Sequence, residues 1–536
     1  MSVIVYRANL SSAVFPMLSE FMGNTVIVKQ YDQSDISSIN NNTDSDNYIK
    51  VALPYYMENV MPTESGYQSV GYIQRIPAAT ANGGDINFRN IFEIFYAAQY
   101  NAYIGICSDG KLYMLLTGST VWLYIVNLNT YGTWTTTTLV TVANINGQSY
   151  ICIQGVAILV ITFSDLGGSL VVSPQSVPAL TLANVIGITS CFGYLIAYTT
   201  TAVYWSSLVN PLDFAPSLIT GAGGGEVQQA RSAITLIVYH KLGAIIYTAN
   251  NAIAMVYSGN SRYPFNFREI VEAGGLDPAY GGNQYTIPTN YITFDPDTGD
   301  HYIYGTSGIQ LVNTQNAKLM FSAVASFVSG KYLETWDKIN FVFTKYNLTS
   351  DMVRKITVVA SRYIVVSYGQ NIYTYALVYD IGLKRWGKLF IDHADVFDFS
   401  EEILNATADS SRDEVGFLQA DGTIVSVDFT LFSSVADGTL ILGKYQFVRS
   451  RFLQLQEIEI ENLNTATGNI PLQLTVAPSQ DGKNWDSPVS TLTPTVTDGQ
   501  YVKYTPHITA KNHSLILQGQ FNLNTVILSF NIHGRR

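Results

Sequence analysis

The sequence predicts an all-β chain: a β-propeller of about six or seven blades over residues 96–440, an N-terminal extended segment over 1–95, and a C-terminal antiparallel β-sandwich over 441–536. Three observations predict it. Apolar residues make up 47% of the 536 residues and charged ones only 13%, about half the usual charged share. The 36 Tyr and 41 Gly, with abundant Thr, Val and Ile, favour strands and tight turns over helices. A local pattern, turn residue then alternating strand then polar break, recurs at irregular intervals of roughly 40 to 65 residues, the range of one propeller blade. The rival arrangement is a set of generic hairpins in a sandwich.

Taken in order, the N-terminal segment contains the polar stretch "YDQSDISSINNNTDSDNY" (31–48), expected as an exposed loop. After it, Pro62, Gly66 and Gly71 punctuate two short extended pieces in "NVMPTESGYQSVGYIQRI". The start lacks the basic and continuous apolar stretches of a signal peptide. The most apolar run, "ICIQGVAILVITF", is about 13 residues against the roughly 18 of a spanning helix, so it reads as a buried strand pair. A soluble product assembled in the cytoplasm is the expectation.

The repeated pattern stands in "SDGKLYMLLTGS" (108–119), "TTTAVYWSS" (199–207), "ANNAIAMVYSG" (249–259), "GTSGIQLVN" (305–313), "QNIYTYALVYD" (370–380) and "ADGTIVSVDF" (420–429). Trp205 closes one such strand, and its flat ring is expected between sheets rather than as a stacking platform for a sugar or base. "NPLDFAPS" is then a polar excursion to the next strand, since Asn-Pro starts turns. "GAGGGE" (221–226) lacks the Lys-Ser/Thr ending of a phosphate loop and reads as a flexible connection. The helix candidate is 319–341, where Met320, Val324, Phe327 and Val328 approximate an apolar face. From 441 onward "RFLQLQEIEIENL" and "IPLQLTVAPSQDGKNW" alternate strictly, as sandwich strands do.

No constellation in the sequence assembles a catalytic set, so no catalytic, cofactor-binding or metal residue is assigned and no cofactor is expected. "DPDTGD" (Asp295, Asp297, Asp300) reads as a hairpin turn with Gly299 at positive φ, a fragment of a calcium loop lacking its closing Glu. Asp392, Asp395 and Asp398, with His393 nearby, alternate badly for convergence on one point and read as a surface loop. "SQDGKNW" (Ser479, Asp481, Gly482, Trp485) is one residue short of an Asp-box and reads as a turn. His240, His301 and His513 are scattered, without the i, i+4 spacing of a helical metal pair. Cys107, Cys152 and Cys191 sit in apolar strand contexts and read as buried inert thiols. The net charge of −11 excludes a tight grip on duplex DNA, and the basic spots "KRW" (384–386) and "RR" (535–536) are too small to supply one. An acidic surface also discourages adhesion to anionic lipid.

The run 201–268 resembles, as a whole, the tail-hub or nozzle proteins of short-tailed bacteriophages, also called packaged-DNA stabilisation proteins. The resemblance rests on Val203 through Ser206, Pro211, Asp213 and Phe214, then Ala252 through Gly259 with Phe265 and Phe267. "NVMPTESGYQSVGY", Glu334 to Asp337, and Trp386 of "YDIGLKRWGK" add to it. The long polar N-terminal loop and the C-terminal region depart from that pattern. The resemblance implies a non-enzymatic virion protein: a ring, a homohexamer, below the portal and adaptor proteins, which retains packaged double-stranded DNA and conducts it during ejection without sequence-specific binding. It implies tail fibre, tailspike or needle proteins as further partners, no membrane, and a place in the virion tail. The composition leaves two other classes open: a carbohydrate-binding or glycoside-hydrolysing propeller, and a cellular propeller scaffold.

Overall fold

The computed structural model describes residues 3–9, 26–29, 48–51, 56–80, 85–97, 100–163, 170–260, 262–276, 288–295, 297–305, 308–321, 333–337, 342–346, 353–369, 372–399, 414–427, 438–447, 452–462, 472–479, 489–492, 496–498 and 501–532. The polar stretch expected at 31–48 falls almost wholly outside them, as do Asp481, Gly482 and Trp485 and the terminal "RR".

The fold is all-β and propeller-like. Among the described residues, antiparallel strands form six four-stranded sheets and a seventh four-strand unit, unit 6 below, which is one end of a twelve-stranded sheet. Unit 1 holds Phe88–Ala97, Tyr100–Cys107, Lys111–Leu116 and Leu123–Asn127. Unit 2 holds Val140–Ile145, Gln148–Ile153, Ala157–Phe163 and Leu170–Pro174. Unit 3 holds Gly187–Cys191, Tyr194–Tyr198, Ala202–Trp205 and Gly223–Glu226. Unit 4 holds Ile234–His240, Gly243–Thr248, Ala252–Tyr257 and Phe265–Glu269. Unit 5 holds Ile292–Phe294, His301–Gly305, Gly308–Val312 and Ala317–Phe321, and unit 6 Val353–Val359, Tyr363–Gly369, Tyr373–Asp380 and Arg385–His393. Unit 7 holds Asp395–Phe399, Glu414–Leu418 and Ile424–Val427, and takes its fourth strand, Ile73–Ile76, from the other end of the chain.

Second strands such as Tyr194–Tyr198 and Gly243–Thr248 are buried along their whole length. Both faces of these units are covered, so the strands read as continuous apolar runs instead of alternating ones. Shared cores join neighbours in sequence: Ile104 of unit 1 with Ile151 of unit 2, Val160 of unit 2 with Leu195 of unit 3, and Val365 of unit 6 with Phe417 of unit 7. Tyr113 of unit 1 and Phe399 of unit 7 share a further core, so the first and last units are also in contact. Each such side chain contributes about 1.5–3 kcal/mol by leaving water.

Leu333–Asp337 and Val342–Tyr346 pair as a two-stranded sheet, and the other strands fall in two sheets that draw on both ends of the chain, one of them continuous with unit 6. In one, Asn522–Ile532 lies between Val3–Asn9 and Leu453–Asn462. In the other, Asn512–Gly519 lies between Gly438–Phe447 and Leu472–Ser479. The sheets meet where His513, on the second, donates from Nε2 to Leu453 O at 2.9 Å on the first. Leu455, Phe530, Leu515 and Leu517 share one core there. The segment "NVMPTESGY" ties this part to unit 6: Val60 pairs with Lys388, and the buried Arg385 guanidinium donates to Gly66 O at 3.2 Å and to Thr63 O. Arg385 of the "KRW" spot is therefore a buried strut.

Two sequence expectations are corrected. Residues 319–321 end the strand Ala317–Phe321 and 333–337 form the strand Leu333–Asp337, so 319–341 is not one helix. Met320 thus lies in that strand, at the bulge where its register with Gly308–Val312 shifts, and not on a helical face; Val324, Phe327 and Val328 lie outside the described residues. "GAGGGE" is not a loose connection: Gly223–Glu226 is the outer strand of unit 3, paired with Ala202–Trp205. Glycine is needed there, since a Cβ on Gly224 would stand 2.7 Å from Val203 O and 2.6 Å from the Tyr204 ring.

Candidate functional site: the axial cavity

First strands of all seven units surround a cavity of about 700 Å³. A first strand has one ladder edge facing this cavity, and an open edge exposes unpaired backbone N–H groups. Side chains of adjacent units close several of them. Thr141 Oγ1 of unit 2 accepts from Ile188 N of unit 3 at 2.8 Å. Thr293 Oγ1 of unit 5 accepts from Val358 N of unit 6 at 3.0 Å. Asp395 Oδ2 of unit 7 accepts from Ile91 N of unit 1 at 3.0 Å. The other carboxylate oxygen of Asp395 holds the Lys355 ammonium of unit 6.

Asp395 is 1% exposed, so its charge is compensated by that ammonium and by the N–H bonds. It forms a clasp across three units. Arg89, on the first strand of unit 1, donates to Asn90 Oδ1 at 2.8 Å, to Thr138 O at 3.0 Å and to Thr136 O. Burial brings its pKa down to about 10. Glu93 is pushed up, first by the surrounding protein and then by the Asp398 carboxylate. Thr357 Oγ1 has no hydrogen-bond partner among the described residues.

The residues singled out in the sequence are distributed around the molecule and are not gathered at this cavity. Of the Asp392, Asp395, Asp398 trio, expected on a surface loop, Asp392 and Asp398 are exposed and Asp395 alone is buried, because Asp395–Phe399 is the first strand of unit 7. Asp295 is buried in its turn, where Oδ1 accepts from Asp297 N at 2.9 Å and Oδ2 from Thr298 Oγ1 at 3.0 Å, with Gly299 at φ +78°. The nearby Asp300 pKa is raised, mostly by burial.

His301 donates from Nε2 to Tyr239 O at 2.6 Å and accepts the Tyr247 hydroxyl at Nδ1, 2.8 Å away. It thereby ties unit 5 to unit 4, and burial lowers its pKa to about 3. His393 donates from Nδ1 to Ile391 O and accepts from Ser367, both at 2.8 Å. His393 and His513 are each lowered to about 4, chiefly by burial. Cys107, Cys152 and Cys191 are free and buried, and burial pushes each thiol up to about 12, far from the thiolate that reactivity requires.

Trp205 stands where the sequence placed it, between units 3 and 4. Its indole N–H donates to Gly221 O at 3.0 Å and its ring meets Phe265 of unit 4 edge-on at 5.6 Å. Beyond it the polar excursion is a set of side-chain-capped turns: Asn210 Oδ1 accepts from Leu212 N at 3.0 Å and Asp213 Oδ1 from Ala215 N at 3.1 Å. Phe214 is buried beneath them. Sequence reasoning missed the clasp of Lys355, Asp395 and Ile91, because Asp395 lies 40 positions from Lys355 and 304 from Ile91 and none belongs to a recognisable spacing.

No family model matches the chain, and no curated protein matches it. Among solved structures, it is similar to the extracellular domain of a B. thetaiotaomicron protein described as a hybrid two-component system, with TM-score 0.37 and 11% identity over 93% of this chain and 64% of that one. A second structure of such a domain, described as a one-component system, gives TM-score 0.39 and 13% identity over 93% of this chain and 63% of that one. This chain thus spans less than two thirds of either. The RRP9 WD40 repeats give TM-score 0.39 and 7% identity over 70% of this chain and 99% of that one.

Proposed function

We propose that this chain is a non-enzymatic virion component, a tail-hub or nozzle subunit that assembles as a ring and retains and conducts packaged DNA. In this reading the seven units are the blades of one closed propeller and the two C-terminal sheets form a sandwich. The observation that carries the non-enzymatic part is the employment of Asp395: the most deeply buried carboxylate of the axial face is spent on the Lys355 ammonium and the Ile91 N–H. A general acid or base needs a group free to exchange a proton with a substrate. The ordered motifs from Val203 to Phe267, "NVMPTESGY" and Trp386 support the assignment to the phage family.

Duplex DNA would pass between copies, along the ring axis, and not through the propeller. A cavity of about 700 Å³ stretched over one helical turn, about 34 Å, has a cross-section of about 20 Å², less than one DNA groove. The net charge of −11 suits a wall along which phosphates slide, because each Lys–phosphate contact would retard passage. Electron microscopy of the purified chain, alone and with its adaptor, tests the reading: a ring with an axial pore is expected. Submicromolar binding of linear duplex at physiological salt would overturn the sliding argument, and hydrolysis of a surface glycan would overturn the non-enzymatic one.

A further inference from the structure

Charge is distributed very unevenly along this chain. Of its 29 Lys and Arg and 40 Asp and Glu, none of the former and only Asp165 and Asp213 of the latter fall between residues 112 and 225. That interval runs from the third strand of unit 1 through unit 3. The Asp213 carboxylate is occupied by Ala215 N at 3.1 Å.

The same sector holds large apolar side chains out in solvent. Val209 is 88% exposed, Leu218 70% and Ile219 97%, and Phe192 and Leu208 lie nearly half open. They occupy one end of unit 3: the turn after its first strand and the loop after its third emerge on the same side, since successive strands are antiparallel. A Cβ on Gly193, next to Phe192, would stand 3.2 Å from the Leu208 side chain, so the two loops touch.

These tips are held in place. Ser217 Oγ accepts from Ile219 N at 3.2 Å and Thr220 N at 3.3 Å, Gly221 N donates to Ser217 O at 3.0 Å, and Phe214 anchors the loop from below. Phe192, at φ +49°, stacks on Tyr257 of unit 4 with centroids 4.5 Å apart. Apolar groups preorganised on fixed turns lose little entropy on being covered, and the centres of protein interfaces are depleted of charge.

We propose that this charge-poor sector, centred on Phe192, Val209, Leu218 and Ile219, is the face through which one copy of the chain seats on another. The assignment rests on the reading of the chain as one of several copies. Charge selects the occupant. Two copies each carrying −11 repel over most of their surfaces, and this face, whose one charged residue between 192 and 222 is Asp213, lets them approach with few like charges juxtaposed and few ions to desolvate. Association through it is insensitive to salt, unlike association through ion pairs.

Sedimentation of the full chain across a hundredfold range of concentration, at low and high salt, tests this. Wild type is expected to self-associate equally at both salts. Ile219→Asp and Val209→Asp are each expected to weaken association at least about tenfold, as loss of an interface centre does. Val271→Asp, at a 65% exposed position next to Glu272 and two residues after Glu269, is expected to leave association unchanged. Circular dichroism and thermal midpoints confirm that the variants fold. A chain that stays monomeric throughout overturns the proposal, as does association that Val271→Asp breaks and Ile219→Asp spares; in the latter case the ring reading survives. Association lost in Ile219→Asp but without an axial pore in micrographs upholds the face and removes the ring. Flotation of wild type with zwitterionic vesicles, abolished by Ile219→Asp, gives the face to lipid and overturns the proposal.

Discussion

At the seam between units 2 and 3 the buried contacts are Val160, Ile188, Leu195, Phe214 and the Cys152 thiol, and the edge is closed by a threonine. At the seam between units 6 and 7 the apolar contacts of Val365, Val396 and Phe417 are joined by His393 against the Phe417 ring and by the Lys355–Asp395 ion pair. The free cysteines all fall in units 1 to 3 and the buried histidines in units 4 to 6 and the C-terminal sheets. One strand order thus closes through two chemistries. Neutral seams tolerate changes of pH and salt, whereas seams built on buried imidazole and carboxylate depend on protonation state.

The largest effect is expected from Asp395→Ala. It strands the Lys355 ammonium in a mostly buried position and uncaps Ile91 N, so unfolding free energy should fall by about 3–5 kcal/mol in denaturant titrations. A loss below about 1 kcal/mol would break the comparison.

Acid comes next. His301, lowered to about 3, and His393 and His513, lowered to about 4, start from 6.5. Below pH 6.5 the unfolded chain therefore binds protons that the folded chain refuses, and stability is lost as pH falls from 6.5 toward 4. The raised carboxyls of Glu93 and Asp300 act in the opposite sense at the acid end. The thermal midpoint is expected to drop by several degrees between pH 7 and pH 5. His301→Gln should flatten that dependence, while the three thiols remain unreactive toward a disulfide reagent until the chain opens.

Thr141→Val is the neutral counterpart of the aspartate experiment. It leaves Ile188 N without its 2.8 Å partner and should cost about 1–3 kcal/mol, with no change in pH dependence. The smallest effect is expected at Lys503, which bridges Glu457 at 2.7 Å and Glu459 at 3.3 Å with a third of each side chain in solvent. Lys503→Ala should stay within about 0.5 kcal/mol.

Legibility in the sequence followed the range of the interactions involved. Strands such as Ala202–Trp205 and Ala252–Tyr257 were readable because alternation and flanking turns are local. The strand Gly223–Glu226 was not, because four successive positions with three glycines carry no strand propensity; what places them is the space left by Tyr204 and Trp205. The apolar spacing around Met320 imitated a helix within a segment whose described ends are strands. Asp395 looked like one of three loop carboxylates until its partners on units 6 and 1 were in place.

The strand Ile73–Ile76 pairs with Ile424–Val427, and this has a consequence for synthesis. Residues that leave the ribosome early must wait, unmatched, until Ile424–Val427 has followed them. That pairing then forms late, and a chain halted before residue 424 would carry an unpaired strand ready to catch the corresponding edge of a neighbour.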